Sequence, residues 1–142
     1  MKKFIISIDA GTTSNRSILF DLNGRPVYSS QKEFTQYFPK NGWVEHDPEE
    51  IWKTTLKTLR DVIKKAKRLK WEILTLGITN QRETTVLWDK RSGKPVYKAI
   101  VWQDRRTEDF CKKLRNQNKD TIIFNKTGLL IDSYFSGTKI KW

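Results

Sequence analysis

At 142 residues the chain has the length of one domain, and its 37% hydrophobic residues, with six Trp and seven Phe, suffice for a packed core. The single cysteine, Cys111, excludes an internal disulfide, and no run approaches the ~20 apolar residues of a membrane span. A formal charge of +12 admits an anionic partner, yet Lys and Arg are scattered along the chain, so charge alone does not single out nucleic acid.

The first apolar run, Phe4-Ile5-Ile6-Ser7-Ile8, predicts a strand. Lys2-Lys3 before it hints at a secretory leader, but Asp9 ends the run after five residues, short of the roughly 7–15 such a leader needs. A cytoplasmic protein is expected. Asp9-Ala10-Gly11-Thr12-Thr13-Ser14-Asn15-Arg16 follows. Gly11 lets the backbone approach an anion closely. Thr12, Thr13 and Ser14 offer hydroxyl and N–H donors to phosphate, Arg16 a charged donor, and Asp9 a carboxylate for Mg²⁺. The string is no Walker loop, because the Gly-Lys-Ser/Thr ending and a following helix are absent. A polar hairpin that binds nothing would have the same composition.

Ser17–Leu22 predicts a second strand, Asn23-Gly24 a tight turn, and Pro26–Phe34 a third antiparallel strand. Residues 37–45 read as loop. Asp47-Pro48-Glu49-Glu50 is a helix start, with Asp47 as N-cap, Pro48 at the first position and Glu50 three residues on. Trp52, Thr55, Leu56, Leu59, Val62, Ile63, Ala66 and Leu69 would form its buried stripe. His46, beside the cap, reads as a loop or packing histidine. The basic cluster Lys64–Lys70 suits the negative end of the helix dipole. Ile73–Thr79 suits a buried central strand. Thr84–Trp88 and Lys98–Trp102 predict two more strands. Thr107 would cap a helix to about Gln117, bearing a half-buried Cys111; a weaker helical segment follows at 120–125, punctuated by Gly128. Ser136–Trp142 begins a last helix, and the chain is expected to be part of a longer one.

Polar clusters stand at the ends of the later strands: Thr79-Asn80-Gln81-Arg82-Glu83-Thr84, then Trp102-Gln103-Asp104, then Asp132-Ser133-Tyr134-Phe135-Ser136-Gly137. In open α/β sheets ligands gather beyond strand ends. An Arg–Glu pair with nearby aromatics is how a polyol is commonly held, by hydrogen bonds to hydroxyls and ring faces against carbon. Surface ion pairs and core aromatics would read the same way segment by segment.

Taken together, these segments resemble the glycerol kinases, in the sugar-kinase family of the actin-like ATPase superfamily. The likeness runs through residues 9–16, Gly42–Pro48, Gly77–Thr85, Ala99–Gln103 and Tyr134–Lys139. The phosphate loop is generic to the superfamily; Asn80-Gln81-Arg82-Glu83-Thr84-Thr85 and Tyr134-Phe135-Ser136-Gly137-Thr138-Lys139 are specific to glycerol kinases. Position 15 is Asn where many of the family have Ser, and position 104 is Asp.

The resemblance implies an α/β, ribonuclease H-like (actin-like ATPase) domain: a mixed sheet with an N-terminal antiparallel three-strand meander and flanking helices, incomplete at its C-terminus. Residues 1–142 would be the N-terminal part of the first, substrate- and phosphate-binding domain, with the second, adenine-binding domain absent. The implied reaction is ATP-dependent phosphorylation of glycerol to sn-glycerol 3-phosphate. Thr12, Thr13, Ser14 and Arg16 would contact nucleotide phosphates, with Thr12 also near the transferred group, and Asp9 would place Mg²⁺. Arg82, Glu83 and Tyr134 would bind glycerol hydroxyls, and Trp102 its carbon backbone. The family's catalytic Asp lies in a Gly-Asp-Gln string that does not occur here, so the isolated chain is expected to be inactive. The complete protein would be a homo-oligomer with no nucleic-acid partner. A kinase for another sugar or polyol is the neighbouring alternative, and a basic nucleic-acid-binding module the alternative of another class.

Overall fold

Alternating apolar and polar residues dominate the first 33 positions, and the chain folds them into three consecutive strands. The computed structural model describes residues 2–142. In chain order the elements are β1 (Lys3–Ala10), β2 (Ser14–Asp21), β3 (Pro26–Glu33), β4 (Glu45–His46), α1 (Pro48–Arg68), β5 (Glu72–Thr79), β6 (Ala99–Ile100), α2 (Glu108–Asn116), α3 (Asp120–Thr127) and α4 (Ser136–Lys141). They divide between two compact units, one running to Thr35 and resuming over Asp47–Gln81, the other comprising Gln36–His46 and Arg82–Trp142.

The first unit is a four-stranded mixed sheet in the order β3-β2-β1-β5, antiparallel through the meander and parallel between β1 and β5. At the β2–β3 turn Gly24 takes φ 76°, and the Asp21 carboxylate accepts from the Asn23 and Arg25 amides, the turn chemistry expected of Asn-Gly. Period-two alternation turns Asn15, Ser17 and Leu19 of β2 inward, where all three are fully buried. Across from them α1 buries Thr54, Thr58, Val62 and Ala66, one residue per turn. Asn15 Nδ2 donates to Thr54 Oγ1 at 2.7 Å and to the Ile51 carbonyl at 2.9 Å, and Ser17 and Thr58 share a hydroxyl bond of 3.0 Å. Farther along, Phe4, Ile6, Ile8, Leu19, Val62 and Ala66 form the apolar core.

This corrects the expected helix stripe. Val62 and Ala66 lie at its centre, but Trp52 and Leu69 are exposed, and two threonines hold the buried positions instead. Threonine can do so because its hydroxyl bonds back to the preceding turn, as Thr54 does to the Glu50 carbonyl at 2.8 Å. At the N-terminus Asp47 caps the Glu49 amide as expected. The Glu50 carboxylate takes the amide and hydroxyl of Thr35. At the other end Trp71 N–H reaches the Ala66 carbonyl and Lys70 N–H the Lys67 carbonyl, a Schellman closure with Lys70 at φ 52° where glycine is usual.

The expected buried central strand, β5, is instead an edge strand, and Ile78 is 71% exposed. Leu76 and Ile78 pair with Ile6 and Ile8 and so share the helix side of the sheet, but α1 lies mainly over β2 and β3. Only the start of β5 is covered, where Ile73 and Trp71 pack on the core and Trp71 stacks on Phe4 with ring centroids 4.1 Å apart.

In the second unit β4 and β6 pair antiparallel, so the stretch read as loop contains a short strand. The two strands expected near 84–102 shrink to β6 plus isolated bridges at Thr85–Ile100 and Trp88–Pro95. Thr107 precedes α2 but makes no side-chain cap; its hydroxyl bonds Thr138 at 2.8 Å. Cys111, expected half-buried, is fully buried, and burial raises its thiol pKa. α3 ends at Gly128 with φ 72°, as the sequence indicates. His46 is buried, its Nε2 bonded to Gln36, in keeping with a packing role.

A buried ion cluster, not anticipated from sequence, organises this unit. Arg106 donates through Nε to Asp104 Oδ1 at 2.9 Å and through Nη2 to Asp104 Oδ2 at 2.8 Å and Glu45 Oε1 at 2.7 Å. Its guanidinium carbon lies 3.8 Å from the Trp43 ring centroid and 4.8 Å from that of Trp142. Asp104 also accepts the Val44 amide at 2.6 Å, and Glu45 accepts the Tyr97 hydroxyl at 3.1 Å. Burial opposes the charge on Arg106, but its two carboxylate partners outweigh it and raise the pKa.

Candidate active site

The loop between β1 and β2 is a tight turn closed by Gly11 N–H on the Ser14 carbonyl at 3.0 Å. Any Cβ at position 11 would meet that carbonyl oxygen at 2.8 Å, so only glycine fits. Thr12 and Thr13 occupy the bend, and the Thr13 carbonyl accepts from the Phe34 amide at 3.2 Å, which ties the loop to the end of β3. Ser14 Oγ accepts from Gln31 Nε2 at 2.8 Å and keeps its own proton to donate. Asn15, the departure from the family's usual Ser, turns away from the loop into the sheet–helix interface.

Asp9 and Arg16 face each other across the β1–β2 ladder and form an ion pair at 2.9 Å. Both side chains are well exposed, at 39% and 45%, so the pair is worth little and opens cheaply to an incoming ligand. Gln81, just past β5, donates Nε2 to the Gly11 carbonyl at 3.0 Å, while its Oε1 is buried without a partner among the described residues. Sequence reading gave Gln81 no role of its own; only the parallel pairing of β1 with β5 brings it to the loop.

The second unit assembles the other cluster. Glu83 holds a left-handed backbone, φ 60°, uncommon for a residue with a side chain. Its Oε2 accepts both the amide and the hydroxyl of Ser136 at 2.9 Å, at the start of α4. Trp102 and Tyr134 meet edge to face, ring centroids 5.8 Å apart, and Thr84 Oγ1 accepts from the Trp102 amide at 3.4 Å. Glu83, Trp102 and Tyr134 are therefore brought together by contacts within the unit. Arg82 is exposed and is not part of these contacts. The buried Lys139, unassigned in the sequence reading, donates to the carbonyls of Glu83 and Tyr134.

Among the described residues no group of three His, Cys, Asp or Glu is placed to hold a metal. Mg²⁺ that arrives on a nucleotide does not require such a group, because this ion keeps waters and takes one or two carboxylates besides phosphate oxygens. No helix among the described residues is long and apolar enough to cross a membrane.

Residues 4–142 match the FGGY family of carbohydrate kinases, N-terminal domain. The chain belongs to this family. Among its curated relatives are the glycerol kinases of Oceanobacillus iheyensis and Malacoplasma penetrans, each 60% identical over 141 residues, 99% of this chain and 28% of the relative. The crystal structure of Plasmodium falciparum glycerol kinase with ADP is 38% identical and superposes with a TM-score of 0.93, covering 99% of this chain and 28% of that one. The xylulose kinase of Rhodospirillum rubrum, 27% identical, gives a TM-score of 0.89 over 98% of this chain and 28% of its own. The chain thus spans about 28% of the length of the relatives it matches.

Proposed function

We propose that this chain is the N-terminal part of a glycerol kinase that phosphorylates glycerol to sn-glycerol 3-phosphate at the expense of ATP. The observation that carries the reading is Glu83, tethered through one oxygen beside the Trp102–Tyr134 pair, in a chain 60% identical to glycerol kinases. A three-carbon triol needs an acceptor for its hydroxyl protons and an apolar wall for its carbons, and this cluster offers both. Glu83 Oε1 would accept a glycerol hydroxyl, Arg82 and the Tyr134 hydroxyl would bind others, and Trp102 would lie against the backbone carbons.

In the first unit, the amides and hydroxyls at Thr12, Thr13 and Ser14 would bind nucleotide phosphates. Arg16 would leave Asp9 to neutralise a phosphate oxygen, freeing the Asp9 carboxylate for Mg²⁺ or a water on it. Bound there, the metal would supply charge neutralisation during phosphoryl transfer. Such transfer depends mainly on positioning and electrostatics, which suits a site of fixed donors. The Asp base for the attacking hydroxyl would lie further along the longer chain, and the adenine contacts would come from its second domain. We place that enzyme in the cytoplasm as a homo-oligomer.

Arg82→Ala and Glu83→Ala in the complete kinase test the reading. Each leaves substrate groups unpaired, so the apparent affinity for glycerol should fall by about 2–4 kcal/mol with ATP affinity little changed. Equal loss for both ligands would assign these residues to structure alone.

A further inference from the structure

Lys139 is 3% exposed, a rare state for a lysine. Its ammonium donates to the Glu83 carbonyl at 3.3 Å and to the Tyr134 carbonyl. Those two residues carry side chains of the proposed glycerol site. Glu83 needs such support, because φ 60° strains a side-chain-bearing residue and persists only when its surroundings fix it. Lys139 fixes the backbone, and Ser136, one turn earlier on α4, fixes the carboxylate. The last helix therefore grips residue 83 twice. Burial lowers the Lys139 pKa, against the opposing charges of Glu83, Asp104 and Asp132. A methionine would fill this space with no buried charge, so packing alone does not explain the lysine.

Resting on the reading above, we infer that Lys139 is a positioning residue for the alcohol substrate: it locks the backbone of Glu83 and Tyr134 so that carboxylate and phenol converge on one triol. It touches no reacting atom. Its effect should appear in glycerol binding and leave the nucleotide alone.

Steady-state kinetics of the complete kinase with Lys139→Met test this. Loss of a charged donor to two carbonyls should raise the KM for glycerol about tenfold to a hundredfold, with the KM for ATP within about twofold. Lys139→Arg, which keeps the charge, should recover part of the loss. Should Lys139→Met fail to fold, Lys139→Gln retains one amide donor and should raise the glycerol KM about threefold to tenfold. A folded variant with unchanged glycerol KM, or with both KM values rising together, would overturn the inference. If the wild-type enzyme turns over another polyol and not glycerol, the proposed function fails, and the same KM split on that polyol decides the role of Lys139.

Discussion

Arg106→Met is the substitution with the largest expected effect on stability. The Arg106 side chain is fully buried, and Asp104 and Glu45 are 1% and 5% exposed, so truncation strands two carboxylates without their cation. Breaking a buried pair by removing one partner costs about 3–5 kcal/mol. Residual donors, the Val44 amide on Asp104 and the Tyr97 hydroxyl on Glu45, keep the value from going higher. Loss of the guanidinium's contacts with the Trp43 and Trp142 rings keeps it from falling lower. With a urea dependence of about 2 kcal/mol per molar, the unfolding midpoint should drop by roughly 1.5–2.5 M. Arg105→Met is the control: its side chain is 62% exposed and 3.7 Å from Asp132, so its effect should stay within about 1 kcal/mol. Urea unfolding followed by tryptophan fluorescence measures both. A loss below about 1 kcal/mol for Arg106→Met would refute the assignment of the cluster as the anchor of this unit.

Lys70→Gly removes a side chain from the left-handed position that closes α1 and should stabilise the chain by about 0.5–1 kcal/mol in the same assay, with a destabilisation arguing against the Schellman closure. Asp9→Asn breaks only an exposed ion pair, so the thermal melt should shift little while the complete kinase loses turnover; turnover preserved at ordinary Mg²⁺ would remove Asp9 from the metal site. Cys111 is buried with a raised thiol pKa, so a thiol reagent should label it only as the chain unfolds, and rapid labelling of the native protein would contradict its burial.

Local signals predicted the meander, the Asn23-Gly24 turn, the Asp47 cap and the need for glycine at position 11, because each depends on residues near in sequence. Features that failed depend on distant partners. Thr54 and Thr58 look like surface residues until Asn15 and Ser17 are seen opposite them. Ile73–Thr79 reads as buried from its apolar content, yet burial depends on what covers the strand, and α1 covers its neighbours. Asp104 and Arg106 resemble an ordinary polar loop; only the return of Trp43–Glu45 beside β6 makes them a core. Glu83, Trp102 and Tyr134, singled out by their motifs, are brought into one cluster by the fold. Lys139 was not singled out, since a short helix of mostly polar residues, Ser136–Lys141, gives no hint that this lysine points inward.

Acceptor choice by the complete kinase tests the central claim most directly. Purified enzyme with ATP and Mg²⁺ is offered glycerol, xylulose and gluconate in turn, and ADP release is followed in a coupled assay. The account predicts the highest kcat/KM on glycerol, with that preference falling by about 30-fold or more in Glu83→Ala. A higher kcat/KM on the pentulose or the aldonate, unaffected by substitution of Glu83, would contradict it.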